Sequence, residues 1–299
     1  MKTVKNLLIL FVLLPSLGYA QDLAPGLRFL KLGVGARACG MGEAFTGIAN
    51  DGSASYWNPA GLGYIESPEI LVMHSEWFVG TRFEYISGTI PSNIGVFGLS
   101  FTYLTSGKIE GRNEFGELTN TYENSDLGVN IAHGRRIGKN LLIGLGFKAI
   151  YERIEKNTGT GIAVDIGSLY RLPFGLNIGL VAQNLGSGIK VGTENTELPT
   201  TFRAGCSYKS LTSIGELTPA ADLVVDINGN TLENLGLEFV ILKILALRLG
   251  YRIGLQQECI TSGMGLNHNI GTLNLRFDYA YTGFSDLGTT HKLSLCLTL

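Results

Sequence analysis

From Glu69 to Leu299 the chain repeats one device: a segment of about ten residues in which apolar and polar side chains alternate, closed by Gly, Asn, Pro or a small charged cluster. Within 141–152, Leu141, Ile143, Leu145, Phe147, Ala149 and Tyr151 fall on one face, and Gly144, Gly146, Lys148 and Glu152 on the other. In 273–281, Leu273, Leu275, Phe277, Tyr279 and Tyr281 oppose Asn274, Arg276, Asp278 and Ala280. At the C-terminus, Leu293, Leu295, Leu297 and Leu299 oppose Lys292, Ser294, Cys296 and Thr298. Successive side chains of a strand point to opposite sides of its sheet, so each segment predicts a strand with one oily and one polar face. About fourteen such segments follow one another, near 70–77, 82–91, 94–104, 124–135, 140–153, 161–171, 176–184, 200–209, 217–227, 232–241, 244–253, 259–268, 271–281 and 290–299. Nothing between them has the 3.6-residue period of a long helix.

An even number of strands of this length, each with one apolar face, predicts an all-β fold: a transmembrane antiparallel β-barrel of about 14 strands. The loops support it. If both termini lie on the periplasmic side, connections after odd strands face outward and should be the longer ones. The two longest, 105–123 and 185–199, follow strands three and seven, whereas tight turns at Pro91-Ser92-Asn93, Gly138-Lys139 and Pro173-Phe174-Gly175 follow strands two, four and six. Aromatic girdles are expected where the outer wall meets the headgroups. Trp77, Tyr103, Tyr151, Tyr251, Tyr279 and Tyr281 are assigned to the outer ends of strands, and Tyr170, Tyr208 and Phe239 to the inner ends.

Composition fits a wall in contact with lipid. The chain has 41 glycines, 16% charged residues and a positive mean hydropathy, against about 25% charge in ordinary soluble domains. With 23 basic and 25 acidic residues, nothing electrostatic favours nucleic acid. No run of 18 apolar residues follows the N-terminus; 235–250 comes closest and is broken by Glu238, Lys243 and Arg248. Residues 1–20 read as a secretory signal peptide, with Lys2 and Lys5 ahead of an apolar Leu7–Leu14 and a small-residue cleavage site at Gly18-Tyr19-Ala20. The expected location is therefore the outer membrane of a diderm bacterium, in contact with its lipid. The four cysteines occupy ordinary alternating positions, as Cys206 and Cys296 illustrate, and are expected to be filler, not a disulfide framework.

The polar face carries both signs of charge: Lys148, Arg203, Arg248, Arg252 and Arg276 beside Asp165, Asp222, Asp226, Glu238 and Asp278. Inside a barrel such groups line water or pair with one another and with an inserted segment. A structural lattice of ion pairs is the favoured expectation over a transport site. Catalysis is not expected: there is no Gly-x-Ser-x-Gly elbow and no His-Glu-x-x-His zinc helix, and His74, His133, His268 and His291 are dispersed. No cofactor or metal is expected.

Ahead of the strands, residues 33–62 are crowded with glycine and nearly free of charge. Gly33, Gly35, Gly40 and Gly42 do not form a nucleotide cradle, because no strand-turn-helix frame surrounds them and no Gly-Lys-Ser/Thr follows. A compact Gly/Ala/Ser segment can instead enter a barrel too wide for its own side chains to fill. The expected organisation is a signal peptide (1–20), a hatch or plug (21–68) and a barrel (69–299).

The segment Phe29–Leu62 resembles the N-terminal signature of the PorV/PorQ outer-membrane proteins. The resemblance lies in Gly35-Ala36-Arg37-Ala38, Gly40-Met41-Gly42, Ala44-Phe45-Thr46, Asp51, Ser53-Ala54 and the run Tyr56, Trp57, Asn58, Pro59, Ala60, Gly61, Leu62. Departures occur at Glu43, Gly47 and Gly52, and the chain is short for the PorV branch. Asn58-Pro59-Ala60 also resembles the hatch turn of the FadL-type long-chain fatty acid transporters. The resemblance implies a fourteen-stranded, N-terminally plugged barrel. Its first functional implication is a non-enzymatic component of type IX-like protein secretion, meeting translocon or cargo proteins through its rim and the loops 105–123 and 185–199. Its second is a transporter of small hydrophobic molecules, with Phe45, Tyr56, Trp57 and Leu62 as candidate lining residues, although packing of hatch against wall explains the same side chains.

Overall fold

The computed structural model describes residues 27–254, 259–284 and 288–299. The expected signal peptide and residues 21–26 lie outside them. Fourteen strands form one closed antiparallel barrel: β1 (Glu69–Glu76), β2 (Arg82–Ser92), β3 (Gly95–Thr105), β4 (Ser125–Ile137), β5 (Leu141–Ile154), β6 (Asn157–Arg171), β7 (Leu176–Leu185), β8 (Thr201–Tyr208), β9 (Gly215–Asp226), β10 (Thr231–Ile241), β11 (Leu245–Ile253), β12 (Cys259–Ile270), β13 (Leu273–Phe284) and β14 (Gly288–Thr298). Each pairs with its neighbour in sequence, and β1 pairs with β14 from Glu69↔Thr298 to Glu76↔His291, so no edge is left open. Among the described residues no helix is long and apolar enough to cross a membrane. Closure satisfies every wall strand's backbone on both sides, which a chain in hydrocarbon requires.

The two-residue period sorts side chains as the sequence predicts. On β5, Ile143, Leu145, Phe147 and Tyr151 face outward and are exposed, while Leu142, Lys148, Ile150 and Glu152 are buried inside. The strands match their expected ranges closely, except that β6 begins at Asn157, nearer the turn at 155–156, which lengthens the β5–β6 hairpin. The connections 106–124 and 186–200 are the long ones, and each builds a small hairpin of its own, Ile109–Arg112 with Leu118–Tyr122 and Ile189–Val191 with Glu194–Thr196. Both stand at the barrel end reached by odd-numbered strands.

Two features depart from a regular wall. Between β6 and β7 the register slips, from Val164↔Leu185 to Ile166↔Ala182. Asn184 takes up the slack with φ 58°, a left-handed conformation its short side chain tolerates, and its N–H donates to Asp165 Oδ1 at 2.8 Å. The second is Trp77. Its expected place in the outer girdle is wrong: the chain leaves the sheet here as Trp77 N–H donates to Thr81 O, and the ring turns inward beneath the Lys292 ammonium, 5.2 Å from the ring centre.

Candidate functional site: the interior segment and its charge ring

Residues 27–65 are buried almost throughout and contact the inward faces of strands all round the barrel. Two short helices, α1 (Ala36–Gly40) and α2 (Ala54–Trp57), are flanked by 3₁₀ segments at Arg28–Lys31 and Pro59–Tyr64. Two glycines make the entry turns possible: Gly35 has φ 77° and Gly42 φ 63°, where a side chain is strained. Ala36 N–H donates to Ser294 Oγ at 2.8 Å, and Gly42 N–H donates to Thr261 Oγ1 at 2.9 Å, whose own hydroxyl donates to Gly40 O at 3.1 Å. Met41 is fully buried against Gly236.

Trp57 anchors the apolar centre. It is fully buried, its Nε1–H donates to Val34 O at 2.9 Å, and its ring meets Phe45 and Tyr56 edge-on at 6.3 and 4.9 Å between centres. Tyr56 OH donates to Leu30 O at 3.0 Å. Phe45 and Leu62 are packed in the same cluster, so of the four candidate lining residues only Tyr56 borders open space. The Asn58-Pro59-Ala60-Gly61 turn is a joint between segment and wall. Asn58 Oδ1 accepts from Ala60 N–H at 3.1 Å and so starts the 3₁₀ turn, with Pro59 in its first position, while Nδ2 donates to Thr46 O and Ser168 O, both at 3.1 Å. Ala60 packs on Leu142 and Leu169. Gly61 lies so close to Ala49 O that no Cβ fits.

Asn58→Ala therefore strands two buried carbonyls and one amide. At about 1–3 kcal/mol for a buried polar group left unmet, we expect a loss of about 2–5 kcal/mol in reversible denaturation. Asn228→Ala, at an exposed turn, is the control and should change stability by less than about 0.5 kcal/mol.

The charged residues expected to face inward do so, and six of the ten bond the interior segment directly: Arg203, Asp222, Asp226, Glu238, Arg252 and Arg276. Arg37 holds Glu238 with two parallel bonds, Nε to Oε2 at 2.9 Å and Nη2 to Oε1 at 2.8 Å, and reaches Asp51 Oδ2 at 3.2 Å. Glu238 Oε2 also accepts from Arg248 Nε at 2.7 Å; Arg248 Nη1 donates to Asp278 Oδ1 at 2.8 Å; Asp278 Oδ2 accepts from Arg276 Nε at 2.8 Å; and Arg276 Nη2 donates to Asp51 Oδ2 at 2.8 Å. The result is a closed ring of alternating sign, Arg37–Glu238–Arg248–Asp278–Arg276–Asp51, with two members from the segment and four from β10, β11 and β13. It is neutral as a whole and bidentate between Arg37 and Glu238, the arrangement that lets buried charges persist.

Three smaller joints complete the seat, beside one ion pair within the wall. Asp222 Oδ2 accepts from Phe45 N–H, Thr46 N–H, Thr46 Oγ1 and Arg203 Nη2, and Arg203 lies over the Trp57 ring with 4.9 Å to its centre. Arg252 pairs with Glu43 at 2.9 Å. Lys148 pairs with Asp165 at 2.8 Å and reaches Asn184 Oδ1 at 2.7 Å, and Lys31 sits 3.6 Å from Asp226. The sequence reading missed the two carboxylates on the segment itself. Asp51 and Glu43 lie in a stretch with few charges, and Glu43 is one of the departures from the PorV/PorQ signature. The available signal was that acidic residues buried among glycines need cations, and the inward face has several.

Asp51 is held below the ordinary carboxylate range. Burial alone pushes its pKa up from 3.8, but Arg276, Arg37 and the Ser53 hydrogen bonds outweigh it. A depressed folded pKa stabilises at pH above the unfolded value and is lost as pH falls through the folded one. The segment is thus expected to stay seated from neutral pH down to about pH 4 and to loosen only below, as protease cutting within 27–65 will report.

The fit is not complete. At the long-loop end a cavity of about 180 Å³ lies between the segment and β7–β11. Leu30, Tyr56, Val224 and Leu232 give it apolar walls, and Lys31, Gln183, Asp226, Asn234 and Arg252 a polar rim.

A fourteen-stranded barrel built this way belongs to the outer-membrane class of folds. The chain is a member of the uncharacterised protein family UPF0164, whose pattern it matches over residues 22–299. No curated protein matches it in sequence. Solved structures share the fold at low identity. The Ralstonia pickettii toluene transporter TbuX has a TM-score of 0.63 at 12% identity, over 89% of this chain and 97% of that one. The monoaromatic hydrocarbon channel CymD gives 0.60 at 12%, over 89% and 96%. A FadL homologue from Pseudomonas aeruginosa gives 0.58 at 9%, over 87% and 97%.

Proposed function

We propose that the protein is an outer-membrane transporter of small hydrophobic compounds, exported by its N-terminal signal peptide, in which residues 21–68 act as a hatch that closes the lumen. The single observation that carries this reading is the cavity of about 180 Å³ at the long-loop end, the extracellular end in barrels of this class. An apolar cavity of ~150 Å³ is large enough for benzene, so its size suits a single ring. Its apolar walls and the polar groups that converge on it have the character of a small-molecule site. The fold shared with a toluene transporter and a monoaromatic hydrocarbon channel supports the same direction. The charge ring keeps the hatch seated at rest, so passage of a ligand needs a shift of hatch residues near Leu30 and Tyr56.

Filling the cavity tests this reading. Liposomes carrying the intact barrel should take up radiolabelled toluene faster than empty ones, and Val224→Trp or Leu232→Trp should cut that excess at least tenfold without changing folding. Undiminished uptake in both variants would sink the proposal.

A second reading, a partner in type IX-like secretion as the N-terminal motif implies, draws on the hairpin in 106–124, which exposes Phe115 and Leu118 at the rim. It predicts a barrel inert to hydrophobic probes whose function is lost on removing that hairpin.

A further inference from the structure

We propose that the lumen holds a binding site for an anionic oxygen group, a carboxylate or phosphate, between Lys292, Trp77 and Thr290 at the long-loop end of β14 and β1. The inference goes beyond transport: the site lies across α1 from the cavity and stands or falls on its own.

The barrel register brings the three side chains together. Lys292 pairs with Ser75 on β1 and Ala280 on β13. One step higher on the same inward face, Thr290 pairs with Thr282 on β13, and Trp77 follows the end of β1. The Lys292 ammonium lies 5.2 Å from the centre of the Trp77 ring. Lys292 is 3% exposed and Thr290 fully buried.

What marks the place is that its donors lack acceptors. Every other buried lumen cation, namely Arg37, Lys148, Arg203, Arg248, Arg252 and Arg276, meets a carboxylate. Lys292 meets none among the described residues, and the Trp77 ring beneath it offers only its π face. The Trp77 Nε1–H and the Thr290 hydroxyl are also buried without a hydrogen-bond partner. An indole N–H can only donate, an ammonium can only donate, and a hydroxyl can rotate to donate. Burying an unpaired ammonium is unfavourable, as is burying an unmet donor. Lys292 lies over Trp77 and Thr290 one step along the same inward face, so an oxygen anion accepting from all three would satisfy them together. Neutral hydrocarbons satisfy none of them, and a second cation is repelled.

The purified full-length protein in detergent micelles is titrated with sodium benzoate and with sodium phosphate, against benzyl alcohol and benzylamine as neutral and cationic controls. Tryptophan fluorescence reads the site directly, since the chain has two tryptophans and one is Trp77; W77F should remove the response. We expect at least one anion to saturate the signal and neither control to do so. Benzoate alone identifies an organic acid, and phosphate alone a phosphate group. K292M should weaken the anion at least tenfold, while K292R, which keeps the charge, should weaken it less than K292M does. Absence of saturation by either anion, or equal affinity in folded K292M and wild type, would overturn the proposal. Should K292M fail to fold, T290V decides: several-fold weaker binding supports the site, and unchanged affinity refutes it.

Discussion

Replacing Arg37 with methionine should open the lumen while leaving the barrel wall folded. The substitution removes the group that carries two bonds to Glu238 and one to Asp51. It leaves Glu238 with Arg248 alone, Asp51 with Arg276 alone, and one uncompensated negative charge in the lumen. Breaking a buried ion-pair network on one side costs about 3–5 kcal/mol. Here the loss falls on the seat of the interior segment, because Glu238, Arg248, Asp278 and Arg276 remain linked within the wall. Planar-bilayer recordings should therefore show ion conductance where the intact protein is closed, with faster protease cutting inside 27–65 and unchanged resistance of the strands. Glu238→Gln should do the same with the opposite residual charge. The double variant R37M/E238Q is neutral and should be milder than the sum of the two, since contacting charges couple. An additive double variant would mean that the ring acts as packing and not as charge.

An effect of similar size is expected from Gly144→Val on β5. The inward side of Gly144 lies against the Pro59–Ala60 peptide so closely that a Cβ there overlaps backbone atoms. No side-chain rotation relieves a clash with backbone, so the turn must leave its seat or the wall must bend. Overpacking usually costs 1–3 kcal/mol, and a clash of backbone against Cβ belongs at the top of that range or above it. The measured quantities are the yield of folded barrel, by the heat-dependent shift in gel mobility, and the conductance of whatever folds. Gly88→Ala supplies the control: nothing lies within 4 Å of its added Cβ, and no change is expected. If Gly144→Val folds with normal yield and stays closed, the Asn58-Pro59-Ala60 turn does not seat the hatch.

Much of the wall was legible because its signal is local. Alternation assigned Lys148, Arg248 and Asp278 inward and Phe147 and Leu295 outward from neighbours alone, and glycine or proline marked the turns. Trp77 failed because it sits just past the end of β1, where the chain leaves the sheet and alternation no longer fixes direction. The ion-pair partners were not legible for a different reason. Arg37 and Glu238 are separated by 201 residues in sequence, and which of several inward acids meets which cation depends on stagger and on how the hatch sits. The same is true of Asp51 and Arg276. The orphaned Lys292 shows this from the other side: sequence places it inward, and only the closed barrel reveals that nothing of opposite charge faces it among the described residues.

One experiment tests the proposed hatch and the cavity beside it together. The intact protein and a variant lacking residues 27–65 are reconstituted side by side, and ion conductance is recorded together with uptake of radiolabelled toluene. The intact barrel is expected to be closed to ions yet to accelerate toluene entry, and deletion to open a large conductance. An intact barrel that conducts ions freely, or one that is closed and adds nothing to toluene entry, would contradict this expectation.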